Sequence, residues 1–196
     1  MKIIIASNNE GKIQEIKKLL KTKDVYSLQD IGYTEDIKEY GTTYHINALI
    51  KAQTIAQKFP EYIIIADDSG ISVEALKGEP GVYSARYGQT QNGYEANPNM
   101  VNNQLLLTNL QGISNRKAKF VSVMCVIKPG QEPYFFRGDL KGEIALEICE
   151  AQGFGYDPIF LYEGKYLSQM SVEAKNEISH RGQALTKVVD YLVNNK

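Results

Sequence analysis

The chain carries almost no excess charge: 22 Lys and Arg stand against 23 Asp and Glu, a net charge of −1. That balance removes any general electrostatic pull toward a nucleic-acid backbone or an anionic membrane, so a polyanion has to be held by a local site. Long apolar runs are missing too. None approaches the ~20 residues that span a bilayer, and Ile3-Ile4-Ile5 gives way at once to Ser7-Asn8-Asn9-Glu10, a buried strand rather than a targeting segment. A cytoplasmic protein without membrane or nucleic-acid partners is expected. Cysteine is scarce: Cys125 and Cys149 lie far apart in apolar surroundings, without the close pairing of zinc or dithiol sites, and both read as reduced core residues. With only 2 His in the chain, a His-rich metal site is not expected. No G-x-S-x-G elbow is present, since Ser69 sits in Asp-Asp-Ser-Gly-Ile, so a Ser-His-Asp hydrolase built on Ser69 and His180 ranks low.

What remains is enough for a core. With 43% apolar residues in 196, the chain is long enough to bury most of its apolar surface as a single domain of one or two lobes, and disorder is excluded. Short apolar runs alternate with stretches of helical period, which predicts an α/β fold. Lys2 to Ala6 is the first strand, and Ile13, Ile16, Leu19 and Leu20 give a helix from Lys12 to Lys21. Thr42 or Thr43 caps a second helix with Ala48, Ala52, Ile55 and Ala56 on one face, stopped by Pro60. Tyr62 to Ala66 is a buried strand that ends at Asp67-Asp68-Ser69-Gly70, followed by a short strand and a long ordered loop from Ile71 to Tyr87. Pro98 opens a third helix. Lys119 to Ile127, Tyr134 to Arg137 and Glu143 to Ile148 are three antiparallel strands, the first two joined at Lys128-Pro129-Gly130. Pro158 to Leu161 is a strand, and a polar segment then leads to a final helix with Ala184, Leu185, Val188, Val189 and Leu192 inward.

Four segments carry chemistry. Ser7-Asn8-Asn9-Glu10-Gly11-Lys12 delivers small polar residues and a lysine to a helix N-terminus, a setting for an anion. It is not a Walker A loop, because the glycine spacing fails and Ile13 stands where a Ser or Thr should follow the lysine. An ordinary loop with a surface lysine is the plain alternative. Asp67-Asp68-Ser69-Gly70 sets two carboxylates at the predicted end of a strand, and with Glu39 could hold Mg²⁺ through hard oxygen donors; acids capping a turn are the alternative. Gly153-Phe154-Gly155-Tyr156-Asp157-Pro158 holds two rings beside a carboxylate, suited either to a planar base or to plugging the core. Lys175-Asn176-Glu177-Ile178-Ser179-His180-Arg181-Gly182 clusters donors ahead of the last helix.

Taken together these segments resemble the inosine triphosphate pyrophosphatase family, the XTP/dITP diphosphatases. Ala6-Ser7-Asn8-Asn9-Glu10-Gly11-Lys12 is similar to the family's substrate loop, and Asn47-Ala48 with Lys51-Ala52 to its N-A-x-x-K-A helix. Asp67-Asp68-Ser69-Gly70, Pro80-Gly81-Val82-Tyr83-Ser84-Ala85-Arg86-Tyr87, Gly153 to Phe160 and Ser179-His180-Arg181-Gly182-Gln183-Ala184-Leu185 follow in family order, across nearly the whole chain. One departure is Ile46, where the family usually has an acid before the Asn; Glu39 is then the nearby acid left as a ligand.

The resemblance implies a central mixed β-sheet with flanking helices, two lobes around a substrate cleft, a homodimer, and Mg²⁺-dependent hydrolysis of ITP, dITP or XTP to the monophosphate and pyrophosphate. It implies Asp68 as catalytic carboxylate and metal ligand, with Glu39 sharing the metal. Ser7, Asn8, Asn9, Glu10, Gly11, Lys12 and Lys51 would bind the triphosphate, with Ser69 near the substrate. Phe154, Gly155, Tyr156 and Asp157 would line the nucleoside pocket, and Lys175, His180 and Arg181 would read the 6-oxo edge of the purine. Two readings compete: a Maf-type pyrophosphatase acting on pyrimidine or modified nucleotides, against which the Ser-His-Arg cluster weighs, and a non-hydrolytic nucleotide-binding module, against which Glu39 and Asp68 weigh.

Overall fold

The computed structural model describes residues 2–20, 22, 24–88, 98–149 and 154–194; Lys21, Gly153 and the stretch 89–97 lie outside these. Seven strands form one mixed sheet in the order β2-β1-β3-β4-β5-β6-β7. They are β1 (Ile3–Ile5), β2 (Val25–Ser27), β3 (Ile63–Val73), β4 (Lys117–Ile127), β5 (Tyr134–Ile144), β6 (Phe160–Tyr162) and β7 (Lys165–Tyr166). β1 runs parallel to both β2 and β3, while β6 is antiparallel to β5 and to β7. The helices are α1 (Glu10–Leu20), α2 (Tyr44–Lys58), α3 (Pro98–Asn109), α4 (Val172–Ile178) and α5 (His180–Asn194).

The chain divides into two compact units, one of residues 1–68, 122–138 and 181–196, the other of residues 69–121 and 139–180. Three of the boundaries fall inside 11-residue strands, after Asp68 in β3, Val121 in β4 and Gly138 in β5. In the first unit Ile3, Ile5, Ile63 and Ile65 pack with Ile13 and Ile16 of α1 and with Ala184, Leu185, Val188 and Leu192 of α5. The matching i, i+2 spacing on the strands and i, i+3/i+4 spacing on the helices makes this a sheet face covered by two helices. In the second unit Ile71, Val73, Leu106, Phe120, Ile144, Tyr156, Ile159 and Phe160 form a separate core.

Several boundaries differ from the sequence reading. The carboxylates do not end a strand: β3 continues through Asp67-Asp68-Ser69-Gly70 to Val73, with both acids partnered by residues of other segments, Lys12, Ser122 and Arg181 at Asp67 and Asn47 and Lys51 at Asp68. Gly70 allows this continuation, since a Cβ there would meet the Gly81 carbonyl oxygen at 2.5 Å and collide with Ser84. The predicted strand Tyr134 to Arg137 runs on unbroken to Ile144 as β5, while of the predicted strand Glu143 to Ile148 only Glu143 and Ile144 belong to it and residues 145–148 are not in a strand; Gly142 sits at a crossing so close that a Cβ would run into the Leu161 carbonyl oxygen. Residues 81–86 form a 3-10 helix within the predicted loop, and 157–159 another ahead of a strand that starts at Phe160. The polar segment contains α4, whose N-cap Ser171 accepts from Ala174 N–H at 3.2 Å. β2, only three residues long, carries too little pattern to be read.

The cysteines differ from each other. Cys125 is fully buried, and burial pushes its thiol up to about 12; Cys149 is only half-buried, its Sγ accepting from Gln169 Nε2 at 3.4 Å, so it is not a core residue. Because the thiolate is the reactive form, a disulfide-exchange reagent at pH 8 should titrate at most the Cys149 thiol of the native protein, and the Cys125 thiol only after denaturant is added.

Candidate active site

Adjacent residues of an extended strand point to opposite faces, so Asp67 and Asp68 open two different networks, both within the first unit. Asp67 shares its face with Ile63 and Ile65, beneath α1 and α5. Its side chain is fully buried. Lys12 Nζ stands 2.8 Å from Oδ2, Ser122 Oγ donates to Oδ1 at 2.6 Å, and Arg181 Nε is 3.5 Å away. Arg181 is itself held by Glu15, with Nη1 to Oε2 at 2.6 Å. Burial alone would raise the proton affinity of Asp67, but the Lys12 and Arg181 charges overcome it and hold the carboxyl well below the usual carboxylate range. Burial also lowers the proton affinity of Lys12, against the attraction of Asp67.

Asp68 faces α2 instead. Thr43 caps that helix by accepting from Ile46 N–H at 3.2 Å, as the sequence predicts. The four-residue spacing puts Asn47 and Lys51 on one side of it. Asn47 Nδ2 donates to Asp68 Oδ2 at 3.2 Å, while its Oδ1 accepts from Gly41 N–H at 2.8 Å. Lys51 Nζ lies 2.8 Å from Glu39 Oε1 and 3.5 Å from Asp68 Oδ1. Burial, more than any neighbour, raises the proton affinity of Asp68; Lys51 opposes the shift and the Glu39 charge adds to it. Glu39, Lys51 and Asp68 are thus brought together.

These two carboxylates fit a magnesium ion by their donor chemistry. Both are hard oxygen ligands turned toward one small region, marked by an ammonium that already lies between them, and magnesium commonly takes one or two protein carboxylates with water and phosphate oxygens. A divalent charge would also relieve the repulsion between Glu39 and Asp68. Among the described residues no group of three or more His, Cys, Asp or Glu is arranged to hold a metal, so the remaining ligands would come from water and substrate.

Ser7, Asn8, Asn9, Glu10, Gly11 and Lys12 cover the turn from β1 into α1. Asn9 is the cap: its Oδ1 accepts from Lys12 N–H at 3.1 Å, and its carbonyl from Ile13 N–H at 3.0 Å. Ser7 Oγ accepts from Asn9 N–H at 3.1 Å. Glu10 and Gly11 therefore supply the first N–H groups of α1, which no earlier turn of helix can satisfy. Asn8, Glu10 and Gly11 are exposed.

In the second unit, Phe154, Gly155, Tyr156 and Asp157 form a tight turn. Asp157 Oδ2 accepts from Phe154 N–H at 3.1 Å and from Lys175 Nζ. The ring of Phe154 is 54% exposed, whereas Tyr156, at 5%, belongs to the core. His180 stacks on Phe120, centroids 4.9 Å apart and planes 10° from parallel. Ser69 follows Asp68 on β3 and is half-buried. Sequence reasoning did not single out Glu15 or Ser122, and it gave Asp67 only as one of the two carboxylates of Asp67-Asp68-Ser69-Gly70, not as the partner of Lys12 and Arg181; only the pairing of Asn47 with Lys51 in the N-A-x-x-K-A segment had a local signal.

A model of the Ham1 family matches residues 3–191. The chain belongs to the Ham1 family. The match takes in every segment on which the family resemblance rested, from Ala6 to Leu185. A Bacillus subtilis (strain 168) relative named dITP/XTP pyrophosphatase is 43% identical over 191 residues, 94% of this chain and 93% of its own. One of the same name from Caldanaerobacter subterraneus subsp. tengcongensis is 42% identical over 199 residues, 98% and 96% of the two chains. The solved structure of the Staphylococcus aureus Ham1 protein superimposes with a TM-score of 0.89 at 38% identity, covering 100% of both chains. That of a nucleoside-triphosphatase / dITP/XTP pyrophosphatase from Mycobacterium abscessus gives 0.77 at 36% identity, covering 96% of this chain and 98% of that one.

Proposed function

We propose that this Ham1-family chain is a nucleoside-triphosphate pyrophosphatase that hydrolyses non-standard purine nucleotides, dITP, XTP and ITP, to the monophosphate and pyrophosphate. The observation that carries the reading is Asp68: a buried carboxylate of raised proton affinity, converging with Glu39 on Lys51, in a chain 42–45% identical to dITP/XTP pyrophosphatases over nearly its full length.

Hydrolysis of the α–β anhydride consumes one water and releases one proton. Asp68 is the group to orient that water and take its proton, because a carboxylate raised by burial is a better base than a solvated one. Glu39 and Asp68 would hold Mg²⁺, which when bound supplies phosphate-charge neutralisation. Lys12, Lys51, Ser7 and the α1 N-terminus attract the triphosphate, so positioning and electrostatics carry most of the acceleration. Phe154 offers a ring to the base, and Lys175 and His180 offer donors to its edge. Inosine and xanthine bear a 6-oxo acceptor where adenine bears an amino group, and a site of buried donors rejects a ligand lacking the acceptor more strongly than shape alone does. Arg181 is expected to read the same edge, although its guanidinium is already held by Glu15 and Asp67. The reading includes a homodimer, which light scattering checks.

The test is pyrophosphate release from ITP, XTP, ATP, GTP and dTTP, with Mg²⁺ and with chelator. Preference for ITP and XTP that disappears with chelator is the expected result. Preference for dTTP would transfer the chain to a Maf-like specificity, and nucleotide binding without turnover would leave only a binding module.

A further inference from the structure

Resting on that functional reading, we propose that Tyr156 is a positioning residue: its hydroxyl pins the 154–157 turn to the Ser84 carbonyl, leaving Phe154 as the turn's ring for stacking on the base. Residues 80–87 stand out in the sequence but take no part in the mechanism above, and the structure gives them work. Tyr156 Oη donates to the Ser84 carbonyl at 2.7 Å. Ser84, itself buried, is clasped to β3: its Oγ accepts from Ile71 N–H at 2.8 Å and donates to the Gly81 carbonyl at 2.6 Å. Gly70, next along that strand, has no space for a Cβ because Ser84 occupies it. A second tie reaches the turn from α3, where Asn103 Nδ2 donates to the Gly155 carbonyl at 3.1 Å. Gly155 has φ of 62°, a conformation that favours glycine, so the turn can be held from both sides without strain. The turn's two rings thus divide their tasks. Tyr156 is sunk in the core with its hydroxyl engaged, and Phe154 is open. Through Ser84, the turn is registered against Ile71 of β3.

Tyr156→Phe removes only the hydroxyl. The Ser84 carbonyl keeps a second donor, Asn102 Nδ2 at 3.2 Å, so the variant leaves no buried acceptor without a partner and should fold. The expected result is a rise of about three- to tenfold in KM for ITP and in the inhibition constant of IMP, the loss of one well-placed hydrogen bond. Inhibition by inorganic pyrophosphate, which contains no base, should stay within about twofold on the same scale, and kcat should change less than KM. A folded variant with unchanged KM and IMP inhibition overturns the proposal. So does a parallel loss of IMP and pyrophosphate binding, which is what a merely structural role predicts. Should Tyr156→Phe fail to fold, Asn103→Ala, which cuts the other tie, is read by the same constants. Absence of pyrophosphate release from ITP and XTP by the unmodified protein would overturn the functional reading instead, a result distinct from either failure.

Discussion

Asp68→Asn should cut release of pyrophosphate from dITP or XTP by at least about a thousandfold, the combined worth of a general base and a metal carboxylate, while the protein stays folded. The substitution keeps the shape of the side chain, and Asn47 Nδ2 still meets an oxygen at the Oδ2 position, 3.2 Å away in the native site. Lys51 keeps Glu39 at 2.8 Å. Burial raises Asp68 above its ordinary value of 3.8, so the folded protein holds this proton more tightly than the unfolded chain does. Ionisation therefore removes stability as pH rises from 3.8 toward the raised folded value, and above that window the loss is complete. The Asn variant escapes it. Urea denaturation at acid and neutral pH should show the variant gaining on the native protein across that interval. Turnover within tenfold of the native rate would remove Asp68 from the reaction.

Asp67→Ala should do the opposite, costing stability first. Two cations, Lys12 and Arg181, converge on a side chain with no solvent exposure, and deleting the carboxylate leaves Lys12 buried without its partner. Removing one member of a buried ion pair costs about 3–5 kcal/mol, set against a total stability of roughly 5–15 kcal/mol. Thermal denaturation should show a fall of about 6–20 °C for a chain of this length. Ser122→Ala, which deletes the 2.6 Å bond to Oδ1, should cost only about 1 kcal/mol. The pH dependence is reversed relative to Asp68. Asp67 is held below 3.8 by Lys12 and Arg181 despite its burial, so its contribution is present above pH 3.8 and is lost as the pH drops further toward the folded value. Native and variant stabilities should converge in that acid range. A loss under about 1 kcal/mol would show that water reaches and compensates the cluster.

The contrast between the two acids also marks how far local sequence pattern reaches. β1, α1, α2 and α5 were legible because each rests on a short-range signal: an apolar run, a 3.6-residue period, or Thr43 as a cap. The continuation of β3 past Asp67 was not legible, because what allows two carboxylates inside a sheet is supplied by residues remote in the chain. Ser122 is 55 positions from Asp67, and Glu15 is 166 from the Arg181 it holds. β5 was read as two strands, but it runs unbroken to Ile144, with Gly142 close against the backbone of β6. At the site, Glu39, Lys51 and Asp68 were each named from the sequence, but nothing local in it places Lys51 between the two acids. The different fates of Phe154 and Tyr156 could not be foreseen either, since two aromatic residues one glycine apart read alike until the core around one of them is built.

The alternation of β3 gives the strand a parity. Ile63, Ile65 and Asp67 belong to one side, and Ile64, Ala66 and Asp68 to the other. Deleting a single isoleucine ahead of the acids would leave both carboxylates in the chain and change the net charge not at all. It would nevertheless bring Asp68 beneath α1 and α5, among the partners of Asp67, and turn its neighbour toward α2. Neither acid can therefore deputise for the other, and a lost Asp68 is not recoverable from the carboxylate beside it. For anyone reshaping this protein, chain length between Ile63 and Asp68 is a stricter constraint than composition: conservative replacements there keep the chemistry on its proper side, and one inserted or missing residue does not.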